Sequence, residues 1–192
     1  LSVKWATFNV GALSPEDFGA YYSWGEIKTK INYYSFYSSS TYKWSCWDGN
    51  EPLTKYNTQS MLGSIDNKTT LDPEDDVAHV KWGGNWRMPT KAELDELNNN
   101  CTWKWTTLNG VNGYRVTSKK SGYTDRSIFL PTAGYRYEHR LGYVGTFGSY
   151  WSSSLDTVYP TCAWYDIFNS IDGVKTMSDV RYIGFSVRPV CP

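Results

Sequence analysis

Aromatic side chains are the feature that most limits what this chain can become. They make up 17% of its 192 residues, with Trp 10, Tyr 16 and Phe 7. The interior of one domain cannot hold all of these rings, and Tyr and Trp give recognition surfaces a large contact area at a low entropic cost. We therefore expect part of the aromatic set to lie on a binding surface.

The charge balance excludes two classes of protein. The 19 basic and 19 acidic side chains give a formal net charge of zero. Disordered chains combine few aromatic residues with a high net charge, and nucleic-acid binders commonly carry a basic excess that neutralises phosphates. The sequence therefore predicts a folded domain without a nucleic-acid partner.

Length and hydropathy favour one domain with no membrane-spanning segment. No stretch reaches the roughly 20 apolar residues that a spanning helix needs, and Leu1 does not begin a signal-peptide pattern. The 192 residues contain neither an internal repeat nor a linker that would divide them. We expect a single domain over residues 1–192, and we expect it to be monomeric.

Helix start signals occur at three places in the first half of the chain. Ser14-Pro15-Glu16-Asp17 and Asp72-Pro73-Glu74 each combine a cap residue, a proline and acidic side chains, as helix beginnings do. Thr90-Lys91-Ala92-Glu93 is a capping box. Nearby glycines predict that the first two helices are short.

Strand signals dominate the second half of the chain. Residues 113–117, 127–130 and 183–187 are β-prone and are separated by Gly, Asn and Pro, and residues 3–10 alternate in polarity. These patterns predict an α+β class, with short helices first and a strand-rich and loop-rich second half.

Candidate catalytic and metal-binding residues are few. His79 and His139 lie in no catalytic motif, and we interpret both as ordinary hydrogen-bonded or solvated side chains. The four cysteines, Cys46, Cys101, Cys162 and Cys191, form no C-x-x-C pair, so a zinc site is not predicted. Buried free thiols and a single disulfide are both compatible with their spacing.

Four segments carry a family resemblance. They are Asn9-Val10-Gly11-Ala12, residues 82–93 (WGGNWRMPTKAE), residues 150–154 (YWSSS) and residues 184–190 (GFSVRPV). Together they resemble the Fibrobacter succinogenes major paralogous domain, a bacterial surface-protein family with a C-type lectin-like fold that is related to formylglycine-generating enzymes. The resemblance implies adjacent N-terminal and C-terminal strands. It also implies a natural protein that extends upstream of Leu1, at the cell surface or secreted, with its leader or lipid anchor in that extension.

These segments also predict framework residues. We expect Trp82, Trp86 and Trp151 to be core residues, packed beneath glycine-containing turns. We expect Arg188 to be a strand residue paired with an acidic side chain.

The resemblance further implies ligand binding in adhesion or recognition, with a protein or glycan ligand. Some members of the family are variable proteins of diversity-generating retroelements, in which template adenines are copied with errors into the last part of the gene. The binding segment would span about residues 156–185, where residues reachable from a mutated Asn codon lie between the family segments. The predicted ligand-binding residues are Asp156, Tyr159, Thr161, Cys162, Tyr165, Ile167, Ile171, Asp172, Thr176, Ser178, Asp179, Val180, Tyr182, Ile183 and Phe185. We expect most of them to be exposed.

Two other functions fit the same resemblance. One is a formylglycine-type oxidase that uses Cys162 and Cys191, and the other is a structural or tip subunit of a surface fibre. Cys162 lies inside the segment predicted to vary, so the sequence favours a chain without enzymatic activity.

The sequence predicts no cofactor, with a structural calcium ion as the alternative. Sugar-binding C-type lectins hold calcium with Glu-Pro-Asn or Gln-Pro-Asp and Trp-Asn-Asp motifs, whereas this chain offers only Glu51-Pro52-Leu53. The acidic side chains of residues 72–76 could hold a hard cation, but their place at a helix N-terminus favours a capping role.

Overall fold

Strands dominate the structure. The computed structural model describes residues 1–33, 41–44 and 52–192, so Cys46 and Glu51 lie outside the described residues. Strands contain 37% of the residues and helices contain 12%, and each sheet has only two or three strands. The predicted class, an α+β C-type lectin-like domain with its helices first, is therefore wrong: the chain is β-rich.

The first α-helix, α1 (Val77–Trp82), begins after a single 3₁₀ turn at Pro73–Asp75. Asp76 caps it, because its carboxylate accepts hydrogen bonds from the amides of Ala78 and His79 at 2.9 and 3.1 Å. The helix ends at Gly83 after six residues. The predicted capping role of the acidic residues is thus confirmed for Asp76.

The second α-helix, α2 (Lys91–Asn100), begins with the predicted capping box. The Thr90 hydroxyl accepts a hydrogen bond from the Glu93 amide, and the Glu93 carboxylate accepts one from the Thr90 amide. The Arg87 guanidinium donates to both oxygens of the same carboxylate, at 2.7 and 2.6 Å. The cap is therefore tied to the chain that precedes it.

The helix predicted at Ser14 does not form. The Asp17 carboxylate accepts hydrogen bonds from the amides of Leu13 and Ser14, both at 3.1 Å, and so closes a turn. A short polar side chain that bonds backward in this way competes with helix formation. Few residues are consequently helical in the first half of the chain.

In the described part of the chain, the strands form two antiparallel three-stranded sheets and two strand pairs. One sheet contains β2 (Cys101–Leu108), β3 (Val111–Ser118) and β4 (Ser127–Pro131). The other contains β7 (Gly148–Leu155), β8 (Cys162–Asn169) and β9 (Gly173–Val180). Between them in the chain, β5 (Tyr135–Tyr137) and β6 (Arg140–Gly142) form a hairpin.

The two ends of the chain pair with each other. Strand β1 (Lys4–Trp5) is antiparallel to β10 (Val190–Cys191), and the Val10 amide donates to the Val187 carbonyl at 3.0 Å. The predicted adjacency of the terminal strands is therefore confirmed, although the paired strands are only two residues long. Residues 183–187 make isolated bridges instead of the predicted strand.

The segments that carry the family resemblance meet in the interior. The fully buried Arg188 donates to the Asn9 side chain at 2.8 Å and to the carbonyls of Ala6 and Phe129 at 3.1 and 2.8 Å. Asn9 also donates to the Tyr150 hydroxyl at 3.3 Å. No carboxylate among the described residues pairs with Arg188, so the predicted acidic partner is wrong. Burial lowers the Arg188 pKa to about 10.

The tryptophans divide differently from the prediction. Trp151 is fully buried and donates from its indole nitrogen to the Tyr22 carbonyl at 2.9 Å, which confirms it as a core residue. Trp82 and Trp86 are only half-buried and pack edge to face, with ring centroids 5.0 Å apart. Trp24, which the motifs did not mark, is fully buried beside Tyr56.

Candidate ligand-binding site

A cavity of about 460 Å³ lies between the β7–β8–β9 sheet and the β5–β6 hairpin, and we call it the aromatic pocket. Ligand sites commonly enclose roughly 300–1,000 Å³, with mostly apolar walls and a few polar groups. The aromatic side chains that line it are Tyr135, Tyr137, Tyr143, Phe147, Tyr165 and Phe185. The other lining residues are Ser149, Ile167, Asp179 and Ile183.

The aromatic rings of the pocket face in several directions. Tyr135 stacks on Tyr143 with ring centroids 5.5 Å apart and an interplanar angle of 27°. Phe147 meets Tyr143 edge to face at 85°, and Phe185 meets Tyr135 at 72°. The pocket therefore presents both ring faces and ring edges to a ligand.

Strand register places the sheet side chains on one face. Ile167 of β8 lies opposite Ser149 of β7, and Ala163 of β8 lies opposite Asp179 of β9. Residues opposite each other in an antiparallel pair share a face, as do alternate residues along a strand. Ser149, Tyr165, Ile167 and Asp179 consequently point the same way.

Asp179 is an acid without a basic partner. Its carboxylate accepts a hydrogen bond from the Val180 amide at 2.7 Å, and no lysine or arginine in the described part of the chain forms an ion pair with it. Burial raises the pKa of Asp179 above its ordinary value, because desolvation disfavours the charged form.

Ser149 supplies a second polar group with unused bonding capacity. Its side chain is 1% exposed, and its hydroxyl has no hydrogen-bond partner within the described residues. Buried polar atoms are nearly always hydrogen-bonded in native proteins. A hydroxyl that lines a cavity and lacks a partner is therefore a natural contact for a ligand or a bound water molecule.

Tyr143 lies on the hairpin side of the pocket in an uncommon backbone conformation. Its φ is +58°, and its side chain is 58% exposed. Bulky residues seldom adopt the left-handed region, and such strained positions cluster at ligand-binding and active sites.

The structure brings one third of the predicted ligand-binding residues together in the pocket. These are Tyr165, Ile167, Asp179, Ile183 and Phe185. Three of them, Tyr165, Ile183 and Phe185, also belong to the buried core, where the Phe185 ring lies 4.3 Å from Trp151 and 4.6 Å from Tyr165, centroid to centroid.

Other predicted residues have local structural contacts. The Asp156 carboxylate accepts from the amides of Val158 and Tyr159 and so holds the β7–β8 turn. The Thr176 hydroxyl donates to the buried Asp166 at 2.7 Å. At the β8–β9 turn, Asp172 accepts from the Asn169 side chain at 2.9 Å.

The expectation that most of the predicted residues are exposed is wrong. Only Tyr159, Ile171 and Asp172 are exposed, all of them on turns away from the pocket. Asp156, Tyr165, Ile183 and Phe185 are buried. Partly buried positions make up the remainder: Thr161, Cys162, Ile167, Thr176, Ser178, Asp179, Val180 and Tyr182. These residues are buried because β8 and β9 belong to a sheet whose pocket-facing side packs against the hydrophobic core.

Half of the pocket lies outside the predicted segment. Tyr135, Tyr137, Tyr143, Phe147 and Ser149 precede residue 156 and were not predicted to bind. A signal was present, because Tyr135 and Tyr137 alternate with Arg136 in Tyr-Arg-Tyr and so share a face of the hairpin. Nothing local indicated that this face lies against β8.

The acidic group Asp72, Glu74 and Asp75 is the candidate metal site among the described residues. One oxygen from each lies within 4.8 Å of the others. Lys55 occupies the centre of the group, with its ammonium 2.6 Å from both Asp72 and Asp75. Lys43 adds a further contact to Asp75 at 2.8 Å. The carboxylates are thus bonded to lysines, and a cation held by them stays the alternative that the sequence offered.

The described cysteines are free. Cys101, Cys162 and Cys191 form no disulfide with one another. Burial raises the thiol pKa of Cys101 and of Cys162, which keeps both in the poorly nucleophilic protonated form. The geometry therefore offers no activated cysteine at position 162 for the oxidase alternative.

Comparison with known proteins adds no family to this picture. No protein-family model matches the chain, and no similar protein was found among curated sequences or solved structures. The resemblance to the paralogous domain therefore stays a prediction. In the described parts of the chain, no helix is both long and apolar enough to cross a membrane.

Proposed function

We propose that this chain is a ligand-binding domain and that its binding site is the aromatic pocket. The observation that supports the proposal is the convergence of six aromatic rings, an acid and a buried hydroxyl on one cavity. Within the described residues, the acid has no basic partner and the hydroxyl has no hydrogen bond. A cavity with apolar walls and a few polar groups suits a small molecule or an exposed group of a larger one.

The proposal extends to recognition at a bacterial surface, as the family resemblance suggests. The ligand would then be a group displayed on a protein or a glycan. Diversification by a retroelement would change binding most directly at Ile167 and Asp179, which line the pocket and are only partly buried. Loss of the Phe185 ring would instead cost about 3–5 kcal/mol of stability, because that ring packs in the core.

Fragment binding followed by NMR tests the proposed site. Small aromatic, cationic and saccharide fragments would be titrated into the isotope-labelled chain. We expect the amide shift changes to cluster on residues of the aromatic pocket. Shift changes confined to other surfaces, or no binding by any fragment, would contradict the proposal.

A matched pair of tyrosine variants sharpens the test. Tyr143→Ala removes a pocket ring that is 58% exposed, whereas Tyr123→Ala removes a tyrosine that is 52% exposed and lies outside the pocket. We expect only the first variant to weaken fragment binding, with both variants folded. Equal losses in the two variants would argue against the pocket.

The retroelement part has its own test in the gene's neighbourhood. We expect a reverse-transcriptase gene and a near-copy of the last part of this gene, with asparagine codons at the varied positions. A neighbourhood without such a template repeat contradicts diversification and leaves the binding proposal standing.

A further inference from the structure

We infer that the aromatic pocket takes an organic cation: an alkylated or primary ammonium group held between the Asp179 carboxylate and the surrounding aromatic rings. The inference rests on the proposed function, since it names the class of ligand for the same pocket. Three observations support it: the charge of Asp179, the orientation of the aromatic rings and the absence of a cationic side chain from the described lining of the pocket.

The charge argument starts from Asp179. Asp179 is partly buried, and a carboxylate that is partly withdrawn from water gains from a basic partner, because burial disfavours its isolated charge. Within the described chain this carboxylate has one backbone amide as its partner and no lysine or arginine. A ligand that carries a positive charge would supply the missing partner, whereas an anionic ligand would meet repulsion.

Ring geometry supports the same class of ligand. Aromatic faces carry partial negative charge, and a cation within roughly 6 Å of a ring centroid is attracted to it. Tyr135 and Tyr143 form a stacked pair, and Phe147 and Phe185 stand at steep angles to them. Walls of different orientation can surround a compact ammonium group on several sides, as aromatic cages do.

No cation of the described chain fills the pocket. Arg136 lies between Tyr135 and Tyr137 in sequence, but it points to the other face of the hairpin, where its guanidinium lies 5.5 Å from the centroid of the Tyr21 ring. Lys175 is paired with Asp172 at 3.6 Å. Among the described residues, those that line the pocket include no lysine, arginine or histidine.

A neutral saccharide is the competing occupant, since aromatic rings also stack on sugars. Sugar recognition requires several hydrogen-bonding side chains that match adjacent hydroxyls. Besides the tyrosine hydroxyls, the polar side chains of the pocket are Ser149 and Asp179. This sparse polar set favours a ligand recognised by charge and ring contact.

Two probes of equal shape separate charge from size. Choline carries a quaternary ammonium, and 3,3-dimethyl-1-butanol replaces that nitrogen with carbon at nearly the same volume. Titration calorimetry on the full chain would measure both. We expect choline to bind about tenfold or more tightly than its neutral isostere, because both probes make the same apolar ring contacts and only choline is attracted by the carboxylate and by the negative ring faces.

Variants of pocket residues test whether the preference for choline over its isostere arises in the aromatic pocket. Asp179→Asn keeps the shape and removes the charge of the carboxylate, so choline should lose most of its advantage over the isostere and keep only the part that the rings supply. Tyr143→Ala should weaken choline binding severalfold, and Tyr123→Ala should leave it unchanged. Far-ultraviolet circular dichroism and thermal melting would show that the variants are folded.

Several outcomes would overturn the inference. Equal binding of choline and the isostere would leave a ligand pocket without cation selectivity, in which case the proposed function survives and this inference fails. Choline binding that persists unchanged in Asp179→Asn, or a methyl glycoside that binds the pocket in place of choline, would also refute it. If neither probe binds but fragments still bind the pocket in the NMR experiment, the inference of a cationic ligand fails and the proposed ligand-binding function stands.

Discussion

Asp166 is a buried acid whose ionisation opposes folding. It lies on β8, on the face opposite the aromatic pocket, and is 3% exposed. Its carboxylate accepts from the Asn98 side-chain amide, which lies 3.1 Å from both oxygens, and from the Thr176 hydroxyl at 2.7 Å. Burial outweighs these bonds and raises the pKa of Asp166 to about 7.

The sign of the pH dependence follows from this shift. The folded pKa of about 7 exceeds the ordinary value of 3.8, so between these values the folded state keeps a proton that the unfolded state has lost. The stability that protonated Asp166 contributes is present below about pH 4 and is lost as the pH rises through about 7. A shift of roughly three pKa units corresponds to about 4 kcal/mol, as an upper value.

Asp166→Asn measures this contribution, because asparagine keeps an acceptor oxygen for Thr176 and cannot ionise. We expect the variant and the wild type to be similarly stable near pH 4. At pH 8 the variant should be more stable, by about 2–4 kcal/mol in the free energy of unfolding. The assay is urea unfolding followed by tryptophan fluorescence from pH 4 to 8, with the difference between the two chains plotted against pH.

The other acids titrate in both chains, so their contributions cancel when the two free energies of unfolding are subtracted. A matched control variant tests this cancellation. Asp172 is exposed at the β8–β9 turn, and the Asn169 side chain lowers its pKa. Asp172→Asn should therefore show no gain in stability above pH 5. A difference between Asp166→Asn and the wild type that is constant over the whole range would refute the reasoning, as would a less stable variant at pH 8.

Further predictions concern packing, capping and thiol reactivity. Arg188→Met leaves three buried acceptors without a donor, so we expect a loss of about 3 kcal/mol or more in urea unfolding; a loss below about 1 kcal/mol would contradict the network. Thr90→Ala removes one half of the capping box and should cost about 1 kcal/mol in the same assay, and an unchanged midpoint would argue against the cap. Gly184→Ala places a methyl group against the Tyr33 ring and should lower stability by about 1–3 kcal/mol, whereas Gly142→Ala, with only an ordinary ring contact, should be tolerated. Cys162 should react slowly with iodoacetamide at neutral pH in the folded chain and rapidly in urea, as followed by mass spectrometry; equal rates would show that burial does not protect it.

Local chemistry was readable from the sequence. The capping box at Thr90 and Glu93 formed as predicted, because it depends on residues within one helical turn, whereas the helix predicted to begin at Asp72 is capped by Asp76. The same reasoning failed at Ser14, where Asp17 closes a turn with the amides that precede it. Cap residues stabilise helices and turns alike, and the sequence does not show which of the two the rest of the chain supports.

The candidate site was only half predictable. Tyr165, Asp179 and Phe185 were among the predicted binding residues, and they line the aromatic pocket. Tyr135 and Tyr143 were missed, because they belong to a hairpin whose contact with β8 joins positions that are distant in the chain. The prediction also took irregular composition as a sign of exposure, whereas β8 and β9 bury much of that segment.

The sequence by itself determined the aromatic richness, the charge neutrality and the capping of two helices, since these are properties of composition or of neighbouring residues. Tertiary structure alone decided which rings became core and which became pocket wall. Trp24 and Trp151 are enclosed on all sides, whereas Tyr143 stays 58% exposed beside a cavity. The physical reason is that burial depends on what packs against a side chain, and here that packing comes from strands and loops far apart in the chain.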